Sequence, residues 1–281
     1  MTPLTAPSRW LGLLLLLACQ PALLSAQPAI ADKEFPAHKV IGNIYFVGSD
    51  THSSFLVTTP QGHVLVNTMY ERTVPWIRKS VESLGFRFDD IKIVLGSHAH
   101  VDHMEGDALV KAMTGATVMV MDRDVPLLER LRPGGKAHPI DRVLRHGDTV
   151  SLGGTTLLAH LTPGHTPGCT TWQMTTTDAG RAYDVVMIGC IAPNARTVLV
   201  NNQEYPQVAE DFQKSYALLR TLRPDVYLGS HTVHYDMAEK FARLGKGANP
   251  FVDPKGYFAA IDRYEREFND VLARQRASAS P

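Results

Sequence analysis

The chain has 281 residues, 44% of them hydrophobic, and its 28 Lys plus Arg are matched by 28 Asp plus Glu. Balanced charge without a basic block excludes a nucleic-acid backbone as partner, because phosphate recognition needs clustered cations. Without a leader, ~250 residues remain, enough to bury one sizeable core.

The chain opens Met1-Thr2-Pro3, with Arg9 as its early charge, and enters the apolar run Leu11-Gly12-Leu13-Leu14-Leu15-Leu16-Leu17-Ala18. This run is shorter than the ~20 residues of a membrane span and reads as a secretory signal. No transmembrane domain is expected. Two processing sites compete. Ala29-Ile30-Ala31 has the small-x-small form of signal cleavage, making residues 1–31 a signal peptide and residues 32–281 a single exported domain. Leu16-Leu17-Ala18-Cys19 resembles a bacterial lipoprotein box and would leave a lipid anchor at Cys19.

Beyond the leader, Ile44–Val47, Ser54–Thr59 and His63–Asn67 are rich in β-branched and aromatic residues, with Pro60-Gln61-Gly62 as a turn, so a hairpin-like sheet is expected. Val74, Ile77, Val81 and Leu84 recur at helical spacing before Gly85, predicting a helix over 70–84. Ile91–Leu95 reads as a short strand buried on both faces. Helices are expected at 105–113 and 125–131, with a strand at 117–121 between them. Strands follow at 149–152, 155–161, 170–174 and 183–188. Residues 205–222 carry Val208, Phe212, Tyr216 and Leu219 on one helical face, and the strand Asp225–Leu228 precedes helices at 237–244 and 254–274. Strands then helices, twice over, fit an α/β four-layer αββα sandwich with helices outside two facing sheets.

The strand at 91–95 leads into His98-Ala99-His100-Val101-Asp102-His103. Packing gives no reason to place three imidazoles and a carboxylate in six residues, because each needs its own polar partner. A metal ion supplies one. Four such donors are too crowded for one tetrahedron that also keeps a water position, whereas two ions with three ligands each relieve the crowding. Two further ligands must come from elsewhere. His165, in the turn Pro163-Gly164-His165-Thr166-Pro167-Gly168, and His231, after Gly229-Ser230, both follow strands and are the expected donors. His38, His52, His63, His138, His146, His160 and His234 stand alone and read as surface or hydrogen-bonded residues.

These motifs resemble the metallo-β-lactamase superfamily, and within it the class B β-lactamases of subclass B3, from about Ile41 to Val271. The resemblance implies the metallo-β-lactamase-like fold for residues 32–281 as a catalytic domain. It also implies two Zn2+ ions per chain, the first held by His98, His100 and His165, the second by Asp102, His103 and His231. Broader members of the superfamily, among them lactonases and thioesterases, usually add a metal-bridging Asp after the next strand. Met187-Ile188-Gly189-Cys190-Ile191-Ala192-Pro193-Asn194 offers no carboxylate there. Cys190 stands where the subclass commonly has Ser and the other subclasses use a Cys ligand. A buried free thiol, a metal-adjacent ligand and a disulfide with Cys169 are all open for it. Serines that often bind the substrate carboxylate are replaced here by Ala192 and Asn194, leaving Asn194, Arg196 and Thr197 to substitute.

The implied activity is hydrolysis of the β-lactam amide of penicillins, cephalosporins and carbapenems by a dinuclear-zinc-activated hydroxide, with Asp102 orienting it. The alternative is a zinc-dependent lactonase or thioesterase of the same superfamily. The partner is then a small-molecule β-lactam, the expected state a monomer and the location the periplasm, or a lipoprotein anchored at Cys19.

Overall fold

In the computed structural model residues 32–279, except Ala195, are described; the signal segment, both processing sites and Cys19 lie outside the described residues. The first half builds β1 (His38–Ile41), β2 (Ile44–Phe46), β3 (Phe55–Thr59), β4 (Gly62–Val66), α1 (Val74–Ser83), β5 (Ile91–Leu95), α2 (Val101–Met104), α3 (Asp107–Thr114), β6 (Thr117–Met121), α4 (Val125–Leu128) and β7 (Arg142–Leu144). The second builds β8 (Thr149–Leu152), β9 (Thr155–Leu161), β10 (Thr170–Asp178), β11 (Arg181–Ile188), α5 (Val208–Leu219), β12 (Val226–Gly229), α6 (Met237–Arg243) and α7 (Pro254–Ala279).

β1 to β7 form one sheet in chain order, antiparallel as far as β4 and parallel from β4 to β7. The change of direction follows from the connections: tight turns join β1 to β2 and β3 to β4, and a loop over 47–54 joins β2 to β3, whereas α1, α3 and α4 lie in the crossovers that carry the chain back for parallel pairing. The second sheet runs β12-β11-β10-β9-β8, antiparallel except for the β11/β12 pair bridged by α5.

Strand alternation sorts the side chains of the first sheet into two cores. Phe55, Val57, Val64 and Val66 pack with Leu157 and Trp172 of the second sheet and with Phe212, Tyr216 and Phe268 of α5 and α7. Leu56, Leu65 and Val94 point the other way, onto Val74, Ile77 and Val81 of α1 and Val110 of α3. This is the expected sandwich. The Tyr216 hydroxyl donates to Ile191 O at 2.6 Å and to Tyr264 O at 3.2 Å, tying both outer helices to the segment after β11.

Several expectations shift. β5 exposes Lys92, so it is not buried on both faces throughout. The helix expected over 105–113 is α3, and a further turn that was not expected, α2, lies inside the histidine cluster. β10 continues past Met174 into a two-residue hairpin with β11, turning at Ala179 (φ 48°) and Gly180 (φ 80°). Ala at a left-handed position gives no turn signal, which hid this hairpin. β1 and β7 are short strands at the sheet's edges, and Lys39 of β1 and Arg142 and Val143 of β7 are exposed.

Candidate metal centre

The ends of β5, β9 and β12 deliver the expected donors to one edge of the sandwich. After Leu95 the chain is caught by Asn67, itself at φ 65°, whose Oδ1 accepts the Ser97 N–H at 2.8 Å. His100 is extended, and α2 then winds a single turn in which the His103 and Met104 amides both donate to His100 O. That switch separates the donors: His98 and His100 face one neighbourhood, Asp102 and His103 another. His165 sits beside Gly164 (φ 141°), where a Cβ would lie 2.6 Å from the Phe212 ring, so only glycine lets this turn rest on α5. His231 is extended after Gly229-Ser230.

Asp124 joins two of these segments. Its buried carboxylate accepts the Ala99 N–H at 2.8 Å, the Gly168 N–H at 2.7 Å and the Thr166 hydroxyl at 2.9 Å. A carboxyl in this position bridges the turn of His98 and His100 to the turn of His165. Burial pushes its pKa up against those three hydrogen bonds.

The donor atoms form two groups. His98, His100 and His165 offer nitrogens within 4.8 Å of one another, with His100 Nδ1 and His165 Nε2 only 3.1 Å apart. His98 Nε2 is buried and has no hydrogen-bond partner. In the second group His103 Nε2 lies 3.2 Å from His231 Nε2 and 3.2 Å from Asp102 Oδ2, which is 3.7 Å from His231 Nε2. Tetrahedral zinc with bonds of about 2.0–2.1 Å separates its donors by about 3.3 Å, so these spacings and the orphaned nitrogen fit zinc.

Burial, followed by neighbouring imidazoles, holds His98 well below its usual pKa and takes His165 to about 4 and His231 to about 2. Neutral imidazoles are the form that binds metal. Burial alone would raise the Asp102 carboxyl, but the charge of His103 and hydrogen bonds from His103 and His52 outweigh it and hold the group far below the carboxylate range. His165 Nδ1 is satisfied by Ala192 O at 2.9 Å, leaving Nε2 for the centre.

All six expected metal donors therefore converge. Asn194 lines a cavity of about 100 Å³ together with His98, His165, Cys190 and His231. Arg196 and Thr197 do not line it; they border an adjoining cavity of about 370 Å³ that shares His165 as a wall. Cys190 is neither a free thiol nor a ligand: it is disulfide-bonded to Cys169, with Cα atoms 6.0 Å apart, because β10 and β11 begin and end beside each other here. Among the isolated histidines, His138, His146 and His160 are hydrogen-bonded as expected. His52 is different: it groups with Asp102 and His231. His234 also lines the smaller cavity, where burial takes it to about 3. Nothing local in the sequence marked His52 or Asp124, since their partners are distant in the chain.

The metallo-beta-lactamase superfamily profile matches residues 47–231. Among solved structures, the chain is similar to native FEZ-1 metallo-beta-lactamase from Legionella gormanii at 42% identity, with TM-score 0.84, covering 87% of this chain and 98% of that one. It is 36% identical to BJP-1, a subclass B3 metallo-beta-lactamase of Bradyrhizobium japonicum, with TM-score 0.81 over 88% and 97% of the two chains. LRA-12, a class B3 di-zinc metallo-beta-lactamase from an Alaskan soil metagenome, is 29% identical with TM-score 0.80 over 87% and 98%. Curated relatives are matched over less of their length. The chain covers 36% of a metallo-hydrolase of Burkholderia pseudomallei at 32% identity and 25% of a hydroxyacylglutathione hydrolase of Polaromonas sp. at 39%.

Proposed function

The chain belongs to the metallo-β-lactamase superfamily, and from that membership we propose that it hydrolyses the β-lactam amide bond of penicillins, cephalosporins and carbapenems as a subclass B3 enzyme. The observation that carries this reading is the convergence of six donors in two groups beside one open cavity. Its likeness to B3 enzymes over nearly their whole length supports the same substrate class.

His98, His100 and His165 would hold one zinc ion, and Asp102, His103 and His231 the other. When bound, the zinc ions lower the pKa of water and polarise the carbonyl under attack. The chain's own part is to present neutral imidazoles, to keep Asp102 ionised as an acceptor that orients the attacking water, and to align the substrate. Asn194 at the cavity, with Arg196 and Thr197 on its adjoining rim, would receive the substrate carboxylate. No serine nucleophile is needed.

The lactonase or thioesterase reading draws on the partial match to hydroxyacylglutathione hydrolase. It is the weaker of the two, because the position of a bridging carboxylate is occupied by Cys190, which is committed to the disulfide. For residues 1–31 we retain a cleaved signal and a periplasmic location, with the Cys19 anchor as alternative; no helix among the described residues is long and apolar enough to cross a membrane. A monomer is the simplest assembly.

Purified protein should turn over one penicillin, one cephalosporin and one carbapenem, lose that activity on chelation and regain it with zinc. Unchanged rates after verified metal removal, or faster acyl-lactone than β-lactam turnover, would reject the proposal.

A further inference from the structure

His52 has the surroundings of a metal donor. It precedes β3, and its backbone is paired with the segment of His231: the Ser53 amide donates to Ser230 O at 2.9 Å and the Thr232 amide to Thr51 O at 3.1 Å. His52 is buried, 3% exposed, and its ring lies 4.9 Å from the His231 ring, centroid to centroid.

One face of the ring is anchored by a carboxylate. His52 Nδ1 is 2.8 Å from Asp32 Oδ1, and the Arg72 guanidinium holds the other oxygen, Oδ2, at 3.1 Å. An ionised carboxylate only accepts, so the ring donates Nδ1–H to it, and Nε2 faces the centre either as a second N–H donor or, once that proton is displaced, as a metal donor. Nε2 is 3.3 Å from Asp102 Oδ2. A proton on Nε2 or a metal ion can bridge this pair, and the His52, Asp102 and His231 ligand atoms all lie within 4.8 Å of one another, as donors to one ion would. The spacing also matches the edge of about 3.3 Å expected in a tetrahedral zinc site. Histidine ligands characteristically donate their second N–H to a carboxylate, which fixes the tautomer and strengthens the donor.

Resting on the two-metal reading above, we propose that His52 is a fourth protein donor to the second metal position, joining Asp102, His103 and His231, with Asp32 as the positioning residue behind it. The second ion then has four protein donors and the first has three. The two positions differ in affinity, and the second retains its ion more tightly than a three-donor site would.

The test uses metal-free mature protein loaded with cobalt or zinc. In the dicobalt protein each bound histidine contributes one shifted, solvent-exchangeable N–H proton signal. His98, His100, His103, His165 and His231 account for five such signals, and His52 makes a sixth. His52→Leu should remove one signal and weaken the second zinc at least ~10-fold in competition with a chromophoric chelator, leaving the first within about 2-fold as a control for folding. Asp32→Asn should weaken the same ion in the same direction. Five signals in the wild type, or unaltered second-ion affinity in His52→Leu, would overturn the inference and leave His52 as a hydrogen-bond partner of Asp102. Should His52→Leu lose the first ion too, the wild-type signal count decides. A wild type that takes up only one ion overturns the two-metal reading itself, and this inference with it.

Discussion

The two metal positions are built on different principles although they share one six-residue segment. The first consists of imidazoles alone, and its geometry comes from the backbone: His165 is braced by Ala192 O, and Asp124 straps the Ala99 and Gly168 amides together. The second contains the anion Asp102 and is neighboured by another, Asp32, behind His52. The first position thus depends on rigid turns that hold neutral donors in place, the second on charge.

Breaking the charge should have the largest effect. Asp102→Asn keeps the shape but removes the anion, and β-lactam turnover should fall by at least ~10-fold, with loss of second-ion affinity. Near-wild-type turnover in metal-replete protein would remove Asp102 from its role. Breaking the strap tests the other side. Asp124→Ala leaves two buried amides without their acceptor, at about 1–3 kcal/mol each. The first ion should weaken ~10-fold while the second holds, with partial rescue in Asp124→Asn, as read by chelator competition. Equal weakening at both positions would show that Asp124 merely supports the fold.

The disulfide lies on the first position's side and should matter for stability alone. Replacing Cys169 and Cys190 by Ser opens a link across 21 residues, worth about 3 kcal/mol by loop closure. Denaturant midpoints should drop while turnover per bound zinc stays level; a lost zinc ion would contradict this assignment. The last test concerns pH, away from the metals themselves. His165 falls from 6.5 to about 4 and His234 to about 3 on folding, both through burial first. The unfolded chain binds protons that the folded chain refuses, so stability is fully present above pH 6.5 and is lost as pH falls from there through about 4 for His165 and toward about 3 for His234. Thermal melts of metal-free protein across that range should decline; a flat profile would contradict the burial of these rings.

The sandwich, and the convergence of the six expected donors, were legible because their signals are local. His98 to His103 are contiguous, His165 and His231 each follow a strand and a glycine, and the core strands alternate or run apolar. What escaped was set by partners distant in sequence. Asp124 looks like any acidic residue until Ala99 and Gly168 are seen to converge on it. His52 looks isolated until backbone pairing brings it beside His231. Cys190 allowed three fates, and only the placement of β10 beside β11 selects pairing with Cys169. The edge strands β1 and β7 were missed because exposed residues dilute their pattern.

Asp32 stands at the start of the described chain, directly after the Ala29-Ile30-Ala31 cleavage motif. With a cut after Ala31 it is the residue that carries the new α-amino group, and a cut one bond later discards the carboxylate that anchors His52. Under the proposed export and the proposed role of His52, the bond the peptidase cuts would set how firmly the mature protein keeps its second ion, making leader removal a step of cofactor acquisition.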